Sequence, residues 1–291
     1  MAETLGFIGL GVMGGHMARH LAEARSVVVF DIDPAKVAAV DGAAPAKTVR
    51  EVGEQADIVL LSLPSSELVR RVVLGEDGLL PVLKAGSIVI DTSTTEPTVS
   101  QAIAEALKAK GIDFMDAPVS GGEAAAREAR LSIMVGGDEA VFERYLPVLE
   151  VIGTSVVRVG DVGMGGVTKL VNNMIVGATF AVIAEGFALG KANGIDPKVL
   201  YEAIKDGWAG STVLNVAAPG IIERNFEPGG TINLLFKDLG YALSLARTHN
   251  CPVPMTAAVD EIFKAARASG RGGKAQQVII ELWEDLMGLD P

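Results

Sequence analysis

The chain has 291 residues, 49% of them apolar, and 36 acidic against 25 basic side chains give a net charge of −11. That length holds one large domain or two ordinary ones with an ample core. The acidic balance and the lack of any basic run argue against nucleic acid as a partner. The one cysteine, Cys251, has no internal disulfide partner, which suits a reducing cytoplasm. The opening MAETLGFIGLG has neither a basic n-region nor a cleavage site, so no secretory signal is expected.

Along the first 160 residues, short apolar runs alternate with amphipathic stretches. Strands are predicted at 5–10, 27–30, 58–63, 87–91, 113–117, 131–136 and 156–159, with helices starting near Val12, Pro34, Ser66 and Pro97. This alternation predicts a doubly wound α/β domain, its parallel sheet covered on both faces. After Gly160 the strand signals stop, and helices are predicted at 166–193, 197–206, 211–222, 233–248 and 255–269. The expected domains are 1–162 and 163–291, divided within VGDVGMGG and joined by the long helix at about 166–193. The mean hydropathy is +0.37. The apolar run after Asn173 is broken by Glu185, short of the ~20 residues a bilayer span needs, so no membrane partner is expected.

The first loop holds Gly9, Leu10, Gly11, Val12, Met13 and Gly14, between a strand and a helix. In that context Gly9 allows a tight turn, Gly11 the close approach of a pyrophosphate, and Gly14 helix–strand packing. Asp31 ends the second strand, where an acid accepts from both ribose hydroxyls and repels a 2′-phosphate. No arginine follows at Ile32 or Asp33, so NAD is favoured over NADP. Leu63 and Pro64 in SLPSS, and Ser93 and Thr94 in DTSTTEP, lie at later strand ends and should border the cofactor, although such residues also serve as turns and caps.

DAPVSGG supplies the Ser120 hydroxyl and the open backbone N–H groups of Gly121 and Gly122, either an anion site or an ordinary glycine turn. From Val162 to Ala184 the one charged side chain is Lys169, near the start of a helix and one turn before Asn173. A desolvated lysine there has its ammonium form disfavoured and suits acid–base work; a lysine that snorkels to solvent is the alternative. Lys237 is either a surface lysine beside Asp238 or a contact to the nicotinamide edge or the substrate carboxylate. His16 and His20 have zinc-compatible spacing but no third ligand, so no metal is expected. Trp208 lines a pocket or fills core.

Taken in order, GFIGLGVMG, LP at 63–64, DTST, DAPVSGG, GMGGVTKLVNN and KDL at 237–239 resemble the β-hydroxyacid dehydrogenase family over nearly the whole chain. That resemblance implies a Rossmann-type domain followed by an all-helical domain through which dimers or tetramers form. It implies Lys169 as the catalytic acid/base with Asn173 beside it, Ser120, Gly121 and Gly122 on the substrate, and Lys237 at the nicotinamide end. GWAGSTVLNVAAP and RNFEPG look most like its tartronate semialdehyde reductases, implying reduction of that compound to D-glycerate. Its hydroxyisobutyrate, methylmalonate and succinate semialdehyde enzymes are the alternatives, and a non-catalytic dinucleotide-binding module is a third. His20, Arg25 and the tail near Lys274 depart from the usual family residues.

Overall fold

The computed structural model describes residues 3–227 and 229–290. Pro228, within RNFEPG, lies outside them. By contacts the chain divides into two units, Met1–Lys169 and Leu170–Pro291.

The first unit is built on a sheet of β1 (Leu5–Ile8), β2 (Val27–Phe30), β3 (Ala44–Pro45), β4 (Ile58–Leu61), β5 (Ile88–Asp91), β6 (Asp113–Asp116), β7 (Val119–Ser120), β8 (Leu131–Gly136) and β9 (Gly153–Gly160). Their order is β3-β2-β1-β4-β5-β6-β8-β7, with β9 beside β8. β1, β4 and β5 are buried at every position, so LGFI, IVLL and IVID are apolar throughout except for Asp91, rather than alternating. The first six strands in sequence pair parallel. The sheet is parallel-dominated as expected, and β8 is the exception within it: it meets β6 and β7 antiparallel and β9 parallel.

Helices α1 (Val12–Ala24), α2 (Pro34–Ala38), α3 (Val49–Gln55), α4 (Ser66–Leu74), α5 (Pro97–Lys108), α6 (Gly122–Arg127) and α7 (Glu139–Leu149) complete this unit. On one face Met17 and Leu21 of α1 and Tyr145 of α7 cluster with Phe7, Leu60 and Ile133. On the other, Val52, Val69, Val73 and Ile103 of α3, α4 and α5 cluster with Ile8, Val59 and Leu61. Each such side chain contributes roughly 1.5–3 kcal/mol when fully buried. Most starts are set locally: Asp33, Thr48, Ser65 and Asp138 cap α2, α3, α4 and α7. α7 hides from the helical pattern because Pro147 sits in its last turns. α3 hides because Gly53 interrupts it, where a Cβ would come within 2.9 Å of Val82.

α8 (Met164–Ala192) is the long helix. The second unit continues with α9 (Pro197–Ile204), α10 (Thr212–Glu223), α11 (Ile232–Thr248), α12 (Pro254–Ala268), a short 3-10 turn at Gln276–Ile279 and α13 (Ile280–Met287). By length and composition α8 is apolar enough to cross a membrane. Its Phe180, Ala181, Ala184, Phe187 and Ala188 are nevertheless buried inside the protein, clustered with Leu214, Leu239 and Phe263. At the far end, buried Glu284 of α13 accepts from Lys191 Nζ at 2.7 Å and from Arg224 Nη1 at 3.1 Å, fastening α8 and α10 to α13. An ion pair this buried matters structurally, because losing one partner strands the other charge.

Candidate active site

The sequence GFIGLGVMG folds into a strand, a tight loop and a helix whose first turn has no side-chain cap. Gly9 stands at φ +93°, and a Cβ there would lie 2.3 Å from the Ser62 carbonyl oxygen. A Cβ on Gly14 would lie 2.0 Å from the Gly9 carbonyl oxygen, so the helix seats against the loop only with glycine there. Around Gly11 a Cβ would meet nothing within 4 Å. Close protein contact at Gly9 and Gly14, open space at Gly11, and uncapped N–H groups at the positive end of α1 together fit a dinucleotide pyrophosphate.

Asp31 lies beyond the end of β2, its side chain only 9% exposed. Its Oδ2 accepts from Leu10 N at 2.7 Å and its Oδ1 from Asp33 N at 2.9 Å. The carboxylate is therefore locked to the glycine loop while each oxygen keeps lone-pair capacity for a ribose hydroxyl. Sequence reasoning missed Lys36, whose Nζ lies 3.9 Å from Asp31 Oδ1. An exposed Ile32 adjoins Asp31, and both line a groove of about 850 Å³ with Phe30, Pro34 and Val37.

The loops after β4 and β5 are stitched together. Leu63 N donates to Ser93 Oγ at 2.8 Å, and Glu96 N donates to Ser66 Oγ at 3.0 Å. Leu63 and Thr94 are half-buried and Pro64 is exposed. Asp91 and Asp116 are register partners at the ends of β5 and β6, and both are buried. Asp91 accepts from Ser93 N at 3.0 Å and Thr95 Oγ1 at 2.6 Å. Asp116 accepts from Gly163 N and Gly166 N, each at 2.7 Å, at the start of α8. Burial pushes its carboxyl up to about 7, against the pull of those N–H bonds, and the Asp91 charge adds to the rise. Four residues on, Ser120 ends β7, followed by Gly121 at φ +129° and Gly122 at φ +68°. A Cβ on Gly122 would meet nothing within 4 Å, so the space beside that residue is open.

Lys169 occupies the second turn of α8 and is partly exposed. Asn173, one turn later, is buried; its Nδ2 donates to Asp238 Oδ2 at 2.6 Å, and its Oδ1 accepts from Asn172 Nδ2 at 2.9 Å. Asp238 thereby fixes which way the amide faces. Lys237 Nζ lies 2.8 Å from Asp238 Oδ1, in an ion pair, and 4.6 Å from the Tyr241 ring centre. The sequence offers Asp238 only as a neighbour of Lys237, and its bond to Asn173 escaped that reading. His16 and His20 face α6: His16 Nε2 lies 3.6 Å from Glu123, and His20 Nε2 lies 3.0 Å from the Arg127 carbonyl. Trp208 is fully exposed and fills no core.

The open space at Gly11 yields a direct test. Gly11→Ala, at φ −62° and ψ −170°, is expected to leave the melting temperature unchanged or higher while weakening NADH binding by about 10-fold or more. Calorimetry and NADH titration read the two separately. Unweakened binding would show that no pyrophosphate approaches there.

Residues 4–160 match the family described as the NAD binding domain of 6-phosphogluconate dehydrogenase. Residues 163–283 match "NAD-binding of NADP-dependent 3-hydroxyisobutyrate dehydrogenase". The chain is 39% identical over 289 residues to 2-(hydroxymethyl)glutarate dehydrogenase of Eubacterium barkeri, covering 98% of this chain and 96% of that one. It is 37% identical over 282 residues to 2-hydroxy-3-oxopropionate reductase of Escherichia coli (strain K12), covering 96% and 97%. The crystal structure of 3-hydroxyisobutyrate dehydrogenase from Salmonella typhimurium is similar at TM-score 0.88 and 28% identity, covering 97% of this chain and 100% of that one. With the glycine loop, the strand order and these full-length likenesses in agreement, the chain belongs to the β-hydroxyacid dehydrogenase family, oxidoreductases that act on CH–OH donors with a nicotinamide dinucleotide.

Proposed function

We propose that this protein reduces tartronate semialdehyde (2-hydroxy-3-oxopropionate) to D-glycerate in the cytoplasm, with NADH preferred over NADPH. The observation that carries the reading is the turn after β7, where the Ser120 hydroxyl is followed by the Gly121 and Gly122 N–H groups, with open space at Gly122. Such a turn suits a carboxylate carried by the carbon beside the reacting one. The full-length likeness to a 2-hydroxy-3-oxopropionate reductase supports the substrate. The likeness to a 2-(hydroxymethyl)glutarate dehydrogenase supports the wider class, a primary carbinol one carbon from a carboxylate-bearing centre.

In this reading a bound dihydronicotinamide supplies hydride to the carbonyl carbon. Lys169, as ammonium, donates its proton to the carbonyl oxygen and is left as the neutral amine. Ser120, Gly121 and Gly122 hold the carboxylate. Asn173, with its amide direction set by Asp238, orients the reacting oxygen. Lys237 adds positive charge near the nicotinamide end. The loop from Gly9 to Gly14, with Leu63, Pro64 and Thr94, holds the cofactor, and Asp31 selects its ribose. Lys36 offsets only part of the repulsion that Asp31 exerts on a 2′-phosphate, because its side chain is 45% exposed and screened. No metal ion has a role in these steps.

A homodimer or homotetramer assembled through the helical unit is part of the same proposal. Ile175, Val182 and Leu189 repeat every seven residues along α8 and are each more than half exposed, a seam that suits a second copy. Light scattering on the purified protein should give a dimer or tetramer mass, and a monomer would overturn this part.

Steady-state kinetics test the catalytic reading. Efficiency with NADPH should be roughly 10-fold or more below that with NADH, and Asp31→Ser with Ile32→Arg should reverse the order. Glycolaldehyde, which lacks the carboxylate, should fall at least ~30-fold below tartronate semialdehyde, equivalent to roughly 2 kcal/mol of charge-assisted hydrogen bonding. Equal efficiency with NADPH would overturn the cofactor preference. Equal efficiency with glycolaldehyde would overturn the carboxylate turn. Faster turnover of methylmalonate or succinate semialdehyde would replace the substrate.

A further inference from the structure

Asp116 is 2% exposed, and among the described residues no lysine or arginine is its hydrogen-bond or charge partner. A buried carboxylate without a cation is costly unless other donors compensate it. Here Gly163 N binds Oδ1 and Gly166 N binds Oδ2, both at 2.7 Å, across 47 and 50 residues of sequence. These are N–H groups of the first turn of α8, left over because a helix cannot satisfy its own opening donors. The positive end of the helix adds to the compensation.

The surroundings are cut to that carboxylate. A Cβ on Gly136 would lie 2.5 Å from Asp116 Oδ1. A Cβ on Gly165 would lie 2.6 Å from the Asp116 carbonyl oxygen and 2.9 Å from its Oδ2. Gly163 stands at φ +97°, which aims its N–H at the carboxylate only because it has no side chain. Four glycines from β8 and the start of α8 thus close around one side chain. From β5, Asp91 is the ionisable group that faces it. The same strand end leads through Ala117 and Pro118 to the Ser120 turn, while three residues past Gly166 comes Lys169.

We propose that Asp116 is a positioning residue for the reaction: its carboxylate clamps the first turn of α8 and so fixes the backbone from which Lys169 projects, relative to the Ser120 turn. This rests on the reading of Lys169 as the proton donor. The ionised carboxylate accepts from both N–H groups in charge-assisted bonds; protonation removes the charge, leaves the hydroxyl oxygen a weaker acceptor and so weakens the hold on the backbone. With the carboxyl pushed up to about 7, the clamp should loosen as pH falls through that region. A proton donor is not lost on acidification. An acid-side loss of rate near pH 7 therefore belongs to Asp116 and not to Lys169.

The test is the single-turnover rate of NADH oxidation against pH for the wild type, Asp116→Asn and Lys169→Met, with NADH affinity measured in parallel. Asparagine keeps one acceptor but sets an N–H₂ group against the other backbone donor. Asp116→Asn is expected to bind NADH within about 2-fold of the wild type, to turn over about 10–100-fold more slowly, and to lose the acid limb. An unchanged rate and pH profile in Asp116→Asn, with Lys169→Met inactive, removes the positioning role alone. A rate loss that only tracks the fraction of folded protein also removes it. Parental turnover in Lys169→Met removes the reading beneath it as well. If Asp116→Asn does not fold, the wild type decides. The amide resonances of Gly163 and Gly166 should move with a shared midpoint that the rate follows; amides that stay put, or a rate indifferent to their midpoint, overturn the proposal.

Discussion

Two hydrogen bonds, donated by the opening N–H groups of α8 to a buried carboxylate, join the end of β6 to the helix that carries Lys169. The Ser120 turn, four residues beyond Asp116, and the start of α8 are both tied to this strand end. The cage of glycines shows how little freedom that junction has: methyl groups at Gly136 or Gly165 would sit within 2.5–2.9 Å of Asp116 atoms. A second close approach, Gly14 against the Gly9 carbonyl, fixes α1 over the cofactor loop in the same manner. In both places glycine is required by a neighbour's backbone or carboxylate and not by a turn alone.

The sequence made the cofactor half readable because its signals are local. Strand, glycine loop and helix occur within GFIGLGVMGGHMARHL, and Asp31 follows at the end of the next strand. The α8 start was readable from its glycines, and its apolar length from the run around Lys169. What escaped depends on contacts distant in sequence. Asp116 reads as one acid among many until β6 brings it to Gly163 and Gly166. Asp238 is 65 residues from the amide it orients. His16 and His20 suggest a metal pair by spacing, yet both turn toward α6, a helix too short to announce itself after its two glycines. The antiparallel turn of β8 was hidden for a related reason, since strand direction depends on where the chain crosses and not on strand composition.

Charge is arranged with the same economy. A chain carrying −11 overall surrounds its candidate anion sites with backbone N–H groups, and two of the lysines named at those sites are each paired with an acid. Lys36 lies by Asp31, and Lys237 by Asp238. Asp238 gives one oxygen to Lys237 and the other to Asn173, so a single buried acid sets both a charge and an amide direction on adjoining helices of the second unit. Specificity among the family's short hydroxy acids then rests on groups that line the rest of the substrate, which the shared cofactor loop and lysine leave undetermined.

The proposed proton donor can be removed and replaced from solution. Lys169→Ala should lower turnover by about 10²–10⁴-fold while leaving NADH binding intact, and small primary amines added to the buffer should restore part of it, at rates that follow amine basicity. Parental turnover in Lys169→Ala without any added amine would contradict a proton from Lys169 and, with it, the chemical reason for a lysine in the apolar start of α8.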